Sequence, residues 1–430
     1  MAALGCKTNQ SDSVALATEL AALGHERVPF REVADVYIIH TCTVTGKTDY
    51  QSRQLIRKTL QQNPQAQIIV TGCYAQVSPS SLEAIPGVDW VVGLNQQRKI
   101  AGLISGQKFS EARRLVSAAE GDAGLAEIRI PRPAERTRFS LKIQDGCNSR
   151  CSYCIVPQAR GKNRSLPLKQ ALSQIRELSS LGYKEVVLTG IHLGTYGHDF
   201  TPPGSLRNLL QTLEEEDRPM RVRLSSIEPG ELPASLVEFL AGSEKVCPHL
   251  HIPLQSGDDA VLQRMNRHYS SAFFAELIFG LIAAIPDLAI GVDVIGGFPG
   301  EDEGAFERTV NLVERLPIAY LHVFPFSRRS GTAAASMPDP VPEAAKRDRC
   351  RILRELGQRK REDFYRGFRG KRVQVLVESK KDRESGLLKG YSRNYIPVLL
   401  SGENEWINRE IDVEVVDVLG GRVYGKVTAG

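Results

Sequence analysis

The stretch FSLKIQDGCNSRCSYCIVP, residues 139–157, decides how this chain reads. It starts as an apolar strand and runs, past Gly146, straight into three cysteines: Cys147, Cys151 and Cys154. Three is too few for a structural zinc and odd for disulfides. The C-x3-C-x2-C spacing is too tight for three residues to share a helix face, so a loop wrapped around a cluster is the natural geometry. Thiolates are preferred iron–sulfur ligands, and three of them on a four-iron cube leave one iron open. Zinc completed by a distant ligand is the alternative, although no fourth cysteine is close and His192 lies outside any zinc-like spacing.

Strand-then-helix alternation continues outward from this point. After FSLKIQDG come EVVLTGI, VRLSSIEP, HLHIPLQSG, LAIGVDVIGGFP and YLHVFPFS, separated by segments of helical length such as SLPLKQALSQIRELSSLG and GAFERTVNLVERL. Six such units predict a partial (β/α)6 barrel, with the cysteine loop on the edge where strands end, the usual active-site face. Upstream, DVYIIHT, AQIIVTG and DWVVG read as buried parallel strands of a doubly wound α/β domain. Cys6, Cys42 and Cys73 each follow the end of one of its strands, so parallel pairing would bring them to one edge and one metal site. Cys247 and Cys350 lack such contexts and read as structural. Downstream, a long basic helix (about 342–368) precedes five short strands with turn residues between them, a small β-barrel. The domain expectation is therefore 1–105, a linker over 106–137, 138–368, and 369–430.

The bulk properties exclude several classes. At 430 residues the chain exceeds one ordinary core. With 42% apolar and 24% charged residues it is globular, and no apolar run is long enough to span a membrane. The start, MAALGCKTNQ, lacks the basic flank and apolar core of a signal peptide, so a cytoplasmic protein is expected. In that compartment eight cysteines argue for metal or catalysis before disulfides. Net charge is only +5, but between Glu343 and Lys380 basic residues outnumber acidic ones about two to one, an excess that suits a polyanion.

The cysteine loop with Tyr153, together with LTGIHLGTYG, RLSSIEP, HLHIPLQSG, VLQRMNRHYS and VIGGFPGE, closely resembles the radical S-adenosylmethionine methylthiotransferase family. LGCKTNQSDS, HTCTVTGKTDYQSRQLIR and VTGCYAQ are similar to that family's amino-terminal cluster domain, and GLLKGYSRNYIPV to its RNA-binding TRAM barrel. The resemblance implies two 4Fe–4S clusters. Cys147, Cys151 and Cys154 would hold the one that cleaves S-adenosylmethionine, which serves as radical source and methyl donor. Cys6, Cys42 and Cys73 would hold the one that carries the sulfur. It further implies adenosylmethionine contacts from Gly190, Glu228 and Gln255, and close backbone approach to that cofactor at Gly296 and Gly297. Arg160 and Arg164 would meet phosphate or substrate, or simply lie solvated at the surface. The expected partners are the anticodon loop of a tRNA, an electron donor such as flavodoxin or ferredoxin, and a sulfur donor. TCTVTGKTDYQSRQ, TGIHLG and HVFPFSRRSGT look most like the branch that adds methylthio to carbon 2 of N6-threonylcarbamoyladenosine at tRNA position 37. Isopentenyladenosine in tRNA and a ribosomal-protein aspartate are the alternatives within the family. A non-catalytic iron–sulfur electron carrier or RNA-binding protein is the alternative outside it. One departure stands out: only MAALG precedes Cys6, a short first strand.

Overall fold

A computed structural model of the chain describes residues 1–119, 124–125, 127–131, 137–217 and 220–428. Its first part is an all-parallel sheet in chain order, with β1 (Ala2–Ala3), α1 (Lys7–Ala22), β2 (Val36–Thr41), α2 (Gly46–Gln62), β3 (Gln67–Gly72), α3 (Cys73–Val77), α4 (Pro79–Glu83), β4 (Trp90–Val92), α5 (Ile100–Leu103) and β5 (Arg113–Leu115). β2, β3 and β4 are mostly apolar because both of their faces are covered. Ile38, Ile69 and Val92 pack with Leu16 and Leu20 of α1. On the opposite face Tyr37, Ile39, Ile68 and Val70 pack with Ile56 of α2, Tyr74 of α3 and Leu82 of α4. Helices on both faces give the doubly wound arrangement.

Two details differ from expectation or sharpen it. β5 lies inside the stretch read as a linker. Its sequence, Arg-Arg-Leu with both arginines exposed, lacks the apolar run that marked the other strands. Part of that stretch, 120–123, 126 and 132–136, lies outside the described residues. The first strand is indeed short: β1 has two residues, paired with Ile39 and His40 of β2.

The central region runs β6 (Arg138–Lys142), β7 (Gln144–Asp145), α6 (Val156–Arg160), β8 (Arg164–Ser165), α7 (Leu168–Ser180), β9 (Glu185–Thr189), α8 (Leu206–Glu215), β10 (Arg221–Leu224), α9 (Ala234–Gly242), β11 (His249–His251), α10 (Asp259–Arg264), α11 (Ser271–Ala284), β12 (Ala289–Gly296), α12 (Glu303–Arg315) and β13 (Tyr320–Pro325). β6, β9 and β10 form one parallel sheet, and β11, β12 and β13 a second. Parallel bridges Val222–Val246 and Ser226–His251 join the two into a six-stranded partial barrel. The antiparallel pair β7–β8 brackets the cysteine loop.

The long helix α13 (Glu343–Arg366) packs on β13 through Leu353 and Leu356 and leads to β14 (Arg372–Val377), β15 (Leu388–Ser392), β16 (Pro397–Leu400), β17 (Glu410–Leu419) and β18 (Arg422–Val427), which close into a barrel. This barrel docks on the strand starts of the central region. Arg221 donates to Glu410 at 2.8 Å and to the Tyr391 carbonyl at 2.9 Å, and Arg223 donates to the Arg393 carbonyl at 2.7 Å. Buried Glu185 accepts from both arginines, at 2.6 and 3.0 Å, so the docking charges are satisfied. On the outer face of α13, Arg347, Arg354 and Arg361 are exposed at seven-residue intervals, one stripe, and none forms an ion pair with a described residue. No helix among the described residues is long and apolar enough to cross a membrane.

Candidate active site

Each cysteine of the first sheet stands where a strand stops. Cys6 is the N-cap of α1, Cys42 follows β2, and Cys73 opens α3 directly after β3. The junction at Cys73 depends on Gly72. Its φ is +99°, and an added Cβ would lie 2.3 Å from the Thr41 carbonyl oxygen, so any side chain would force β2 and β3 apart. The same device serves the barrel loop. Gly146, φ +74°, precedes Cys147, and a Cβ there would meet the Lys162 carbonyl oxygen at 1.9 Å.

All eight cysteines are free thiols. Cys42 and Cys73 are buried, and burial pushes the Cys73 thiol up to about 12, as it does Cys154. Cys147 goes the other way: burial raises it, but His192 Nδ1 at 3.4 Å and the Ser149 amide at 3.3 Å more than compensate. His192 is in turn raised to about 10. Burial lowers it, but Cys147 and the Glu231 carboxylate, 2.5 Å from its Nε2, outweigh that. Buried neutral thiols are costly to ionise alone; a bound cationic centre takes them as thiolates and supplies the missing charge.

The donor sets fit a cluster better than a single ion. Neither trio brings its three sulfurs within 4.8 Å of one another. A lone zinc, with Zn–S near 2.3 Å, would require sulfurs about 3.8 Å apart. Three spaced thiols around a larger polynuclear group is the arrangement that four-iron clusters use. Neither set is preformed for a single zinc ion.

The two sets face each other. α3, which begins at Cys73, packs against α6, which ends the cysteine loop. Arg160 of α6 fills the junction. Only 2% exposed, it donates to Asp145 at 3.0 and 3.1 Å and to Asp12 of α1 at 3.1 Å. Lys142 completes the network by donating to Asp12 and to Asp145. The surface reading of Arg160 is therefore wrong: two carboxylates far apart in sequence draw it inside. Arg164 is also largely covered, 3.9 Å from Asp145. A second clamp comes from the loop after β13, where Arg329 pairs with Asp49 and Ser327 accepts from the Gly46 amide at 2.8 Å.

Between the sets lies a cavity of about 200 Å³. Val44 and Thr45, just past Cys42, line one side, and Tyr153, beside Cys154, lines another. Gln255, Asp293, Phe324 and Phe326 are among the residues that line the rest. Of the expected cofactor contacts, Gln255 reaches this cavity, in a left-handed conformation at φ 67°. Glu228 is held by Arg267, whose Nη1 also lies 3.4 Å from Cys151 Sγ. Gly190 closes on Gln144, whose Oε1 an added Cβ would approach to 2.6 Å. Gly296 and Gly297 have a second neighbour. What approaches them is α13: a Cβ would meet Cys350 Sγ at 3.0 Å and Lys346 at 2.6 Å. Cys350 and Cys247 are buried packing residues. Sequence reading set His192 aside on its spacing and did not single out Arg267, since neither lies close in the chain to the sulfur it meets.

Comparison with known proteins agrees with this architecture. Residues 1–93 match the model described as Uncharacterized protein family UPF0004, and residues 141–313 the Radical SAM superfamily. The chain is 40% identical over 96% of its length to the threonylcarbamoyladenosine tRNA methylthiotransferase MtaB of Bacillus subtilis, covering 92% of that protein. It is 38% identical over 94% of its length, and 96% of the relative, to the Aquifex aeolicus protein of the same name. The tRNA-2-methylthio-N(6)-dimethylallyladenosine synthase of Carboxydothermus hydrogenoformans is 31% identical over 96% of this chain and 95% of the relative. Among solved structures, the radical S-adenosylmethionine methyltransferase TsrM of Kitasatospora setae, with cobalamin and a [4Fe-4S] cluster bound, shares the fold. Its TM-score is 0.51 at 15% identity, covering 74% of this chain and 65% of that one. With two facing cysteine trios on an α/β sheet and a partial barrel, and relatives matched along nearly its whole length, the chain belongs to the radical S-adenosylmethionine methylthiotransferase family.

Proposed function

We propose that the protein transfers a methylthio group to carbon 2 of N6-threonylcarbamoyladenosine at position 37 of tRNA. The observation that carries this reading is the cavity bounded by residues adjacent to both cysteine sets, each one ligand short of saturating a four-iron cluster. Cys147, Cys151 and Cys154 would hold one 4Fe–4S cluster and Cys6, Cys42 and Cys73 the other. With S-adenosylmethionine bound, the first supplies one-electron chemistry at an unactivated C–H, and the second supplies sulfur. The chain's own residues do the positioning. Arg160, Asp12 and Asp145 fix the two sets relative to each other, and Arg267 orients Glu228 beside the loop cysteines. Glu228, Gln255 and Gly190 lie along the strand-end edge where adenosylmethionine would bind. Phe324 and Phe326 offer the apolar faces on which a splayed base stacks. The Arg347, Arg354 and Arg361 stripe and the terminal barrel are the surfaces for tRNA phosphates. A low-potential protein such as flavodoxin or ferredoxin would supply electrons, a separate donor the sulfur, and the setting would be the cytoplasm.

The test is nucleoside mass spectrometry of tRNA from a bacterial strain lacking its own enzyme and expressing this chain. Appearance of 2-methylthio-N6-threonylcarbamoyladenosine is expected. Appearance of the methylthiolated isopentenyl nucleoside instead would shift the substrate. An anaerobically reconstituted protein that forms no 5′-deoxyadenosine with dithionite would return the chain to the non-catalytic alternatives.

A further inference from the structure

Three ligand-type side chains outside both cysteine sets meet on the barrel wall. His251 ends β11, Asp293 lies in β12, and His322 lies in β13 directly opposite Asp293 in register. His251 pairs with Gly291, two residues before Asp293, so alternation puts His251 and Asp293 on one face. Gly291 leaves room for the ring of Tyr320, which stacks beneath His251 with centroids 6.1 Å apart. His251 Nε2 is 3.1 Å, and His322 Nδ1 3.3 Å, from the same oxygen, Asp293 Oδ1. Among the described residues this is the one group of three or more His, Cys, Asp or Glu whose ligand atoms all lie within 4.8 Å of one another.

These separations match neighbouring ligands around a first-row metal, where bonds of about 2.1 Å place donors about 3.0–3.4 Å apart. With no metal between them, the same atoms pair imidazole to carboxylate. Neither His251 Nε2 nor Asp293 Oδ1 is committed to a group outside this trio. On its far side His251 Nδ1 lies 2.8 Å from Ser226 Oγ, the outer contact that fixes a metal-binding imidazole's tautomer. Among the described residues no lysine or arginine pairs with Asp293; its only ionic contacts are the two imidazoles.

We propose that His251, Asp293 and His322 bind one divalent first-row transition metal, separate from both cysteine sites. Two imidazoles and one carboxylate suit iron(II), manganese(II) or zinc(II) and leave coordination positions open. Asp293 lines the cavity between the cysteine sets, so an oxygen donor entering that cavity is the ligand those positions would take. For the substrate read above, that donor is the carboxylate of the threonylcarbamoyl group, which Asp293 would otherwise repel; this half rests on that reading.

The experiment uses cluster-loaded protein, both clusters oxidised and EPR-silent, titrated anaerobically with manganese(II). One equivalent per chain should leave the free-ion six-line signal, and zinc(II) should displace it. Asp293→Asn and His322→Ala should each weaken binding about tenfold or more; His322 is half-exposed, so its variant tests the site without threatening the fold. No binding by the parent protein, or equal binding by both variants, overturns the site. A stem-loop carrying threonylcarbamoyladenosine should perturb the bound manganese spectrum, while one with plain adenosine should not. If metal binds but neither stem-loop perturbs it, the substrate contact falls and the metal site stands. If metal binds and the nucleoside product is the isopentenyl one, the function falls and the metal site again stands.

Discussion

The two cysteine sets are equal in number and opposite in construction. Cys147, Cys151 and Cys154 come from a single loop between β7 and α6, whereas Cys6, Cys42 and Cys73 arrive from three strand ends and meet only because the sheet is parallel. A loop set is written into local sequence and needs little of the fold. An assembled set inherits the packing of every strand that delivers a ligand, including a first strand of two residues. The lesson is that identical ligand counts can rest on very different amounts of structure.

The sharpest way to break this comparison is to remove one ligand from each set. Cys151→Ala is expected to abolish both 5′-deoxyadenosine formation and methylthio product. Cys73→Ala should abolish the product but leave adenosylmethionine cleavage running. Each should lose about half of the bound iron, measured colorimetrically; loss of cleavage in Cys73→Ala would show that the sets are not separable. Next in size is Arg160→Met, which leaves Asp12 and Asp145 short of their shared arginine. Breaking a buried pair of this kind costs about 3–5 kcal/mol, readable by denaturant unfolding of the loaded protein. A cost below about 1 kcal/mol would mean that Lys142 alone suffices to tie the sets.

The difference between local and assembled sets is sharpened by a matched glycine pair. Gly72→Ala should cost about 1–3 kcal/mol and deplete iron only at the strand-end set. Gly146→Ala should deplete only the loop set. Mössbauer or EPR spectra of the two variants separate these outcomes, and depletion of both sets by either variant would contradict independent construction. The smallest effect belongs to Arg354→Ala on the outer stripe. Iron at both sets should be untouched, and the logarithmic salt dependence of tRNA binding should fall by about one.

Legibility in the sequence followed the same divide. Strand ends could be read because VYIIHT and QIIVTG are buried on both faces and break at glycine or cysteine. The barrel and the terminal strands were equally readable from alternation and turns. β5 was hidden because Arg-Arg-Leu carries no apolar run. Arg160 was misread because its partner Asp12 lies on another sheet's helix, and pairing at such range leaves no local trace. Nothing in VIGGFPGE reveals that α13 comes back to lie on Gly296 and Gly297.

The position of the terminal barrel has a kinetic meaning. It docks on the strand starts, and α13, 24 residues and about 36 Å long, runs between it and the strand-end edge. If tRNA lies along that length as proposed, contacts there would touch parts that do not react, and their contribution would reach the chemistry only through a substrate stiff enough to hold position 37 in register. A free nucleoside carries the reacting carbon but none of that leverage. It should be turned over slowly even when the cavity is saturated, whereas an intact tRNA gains in turnover as well as in affinity.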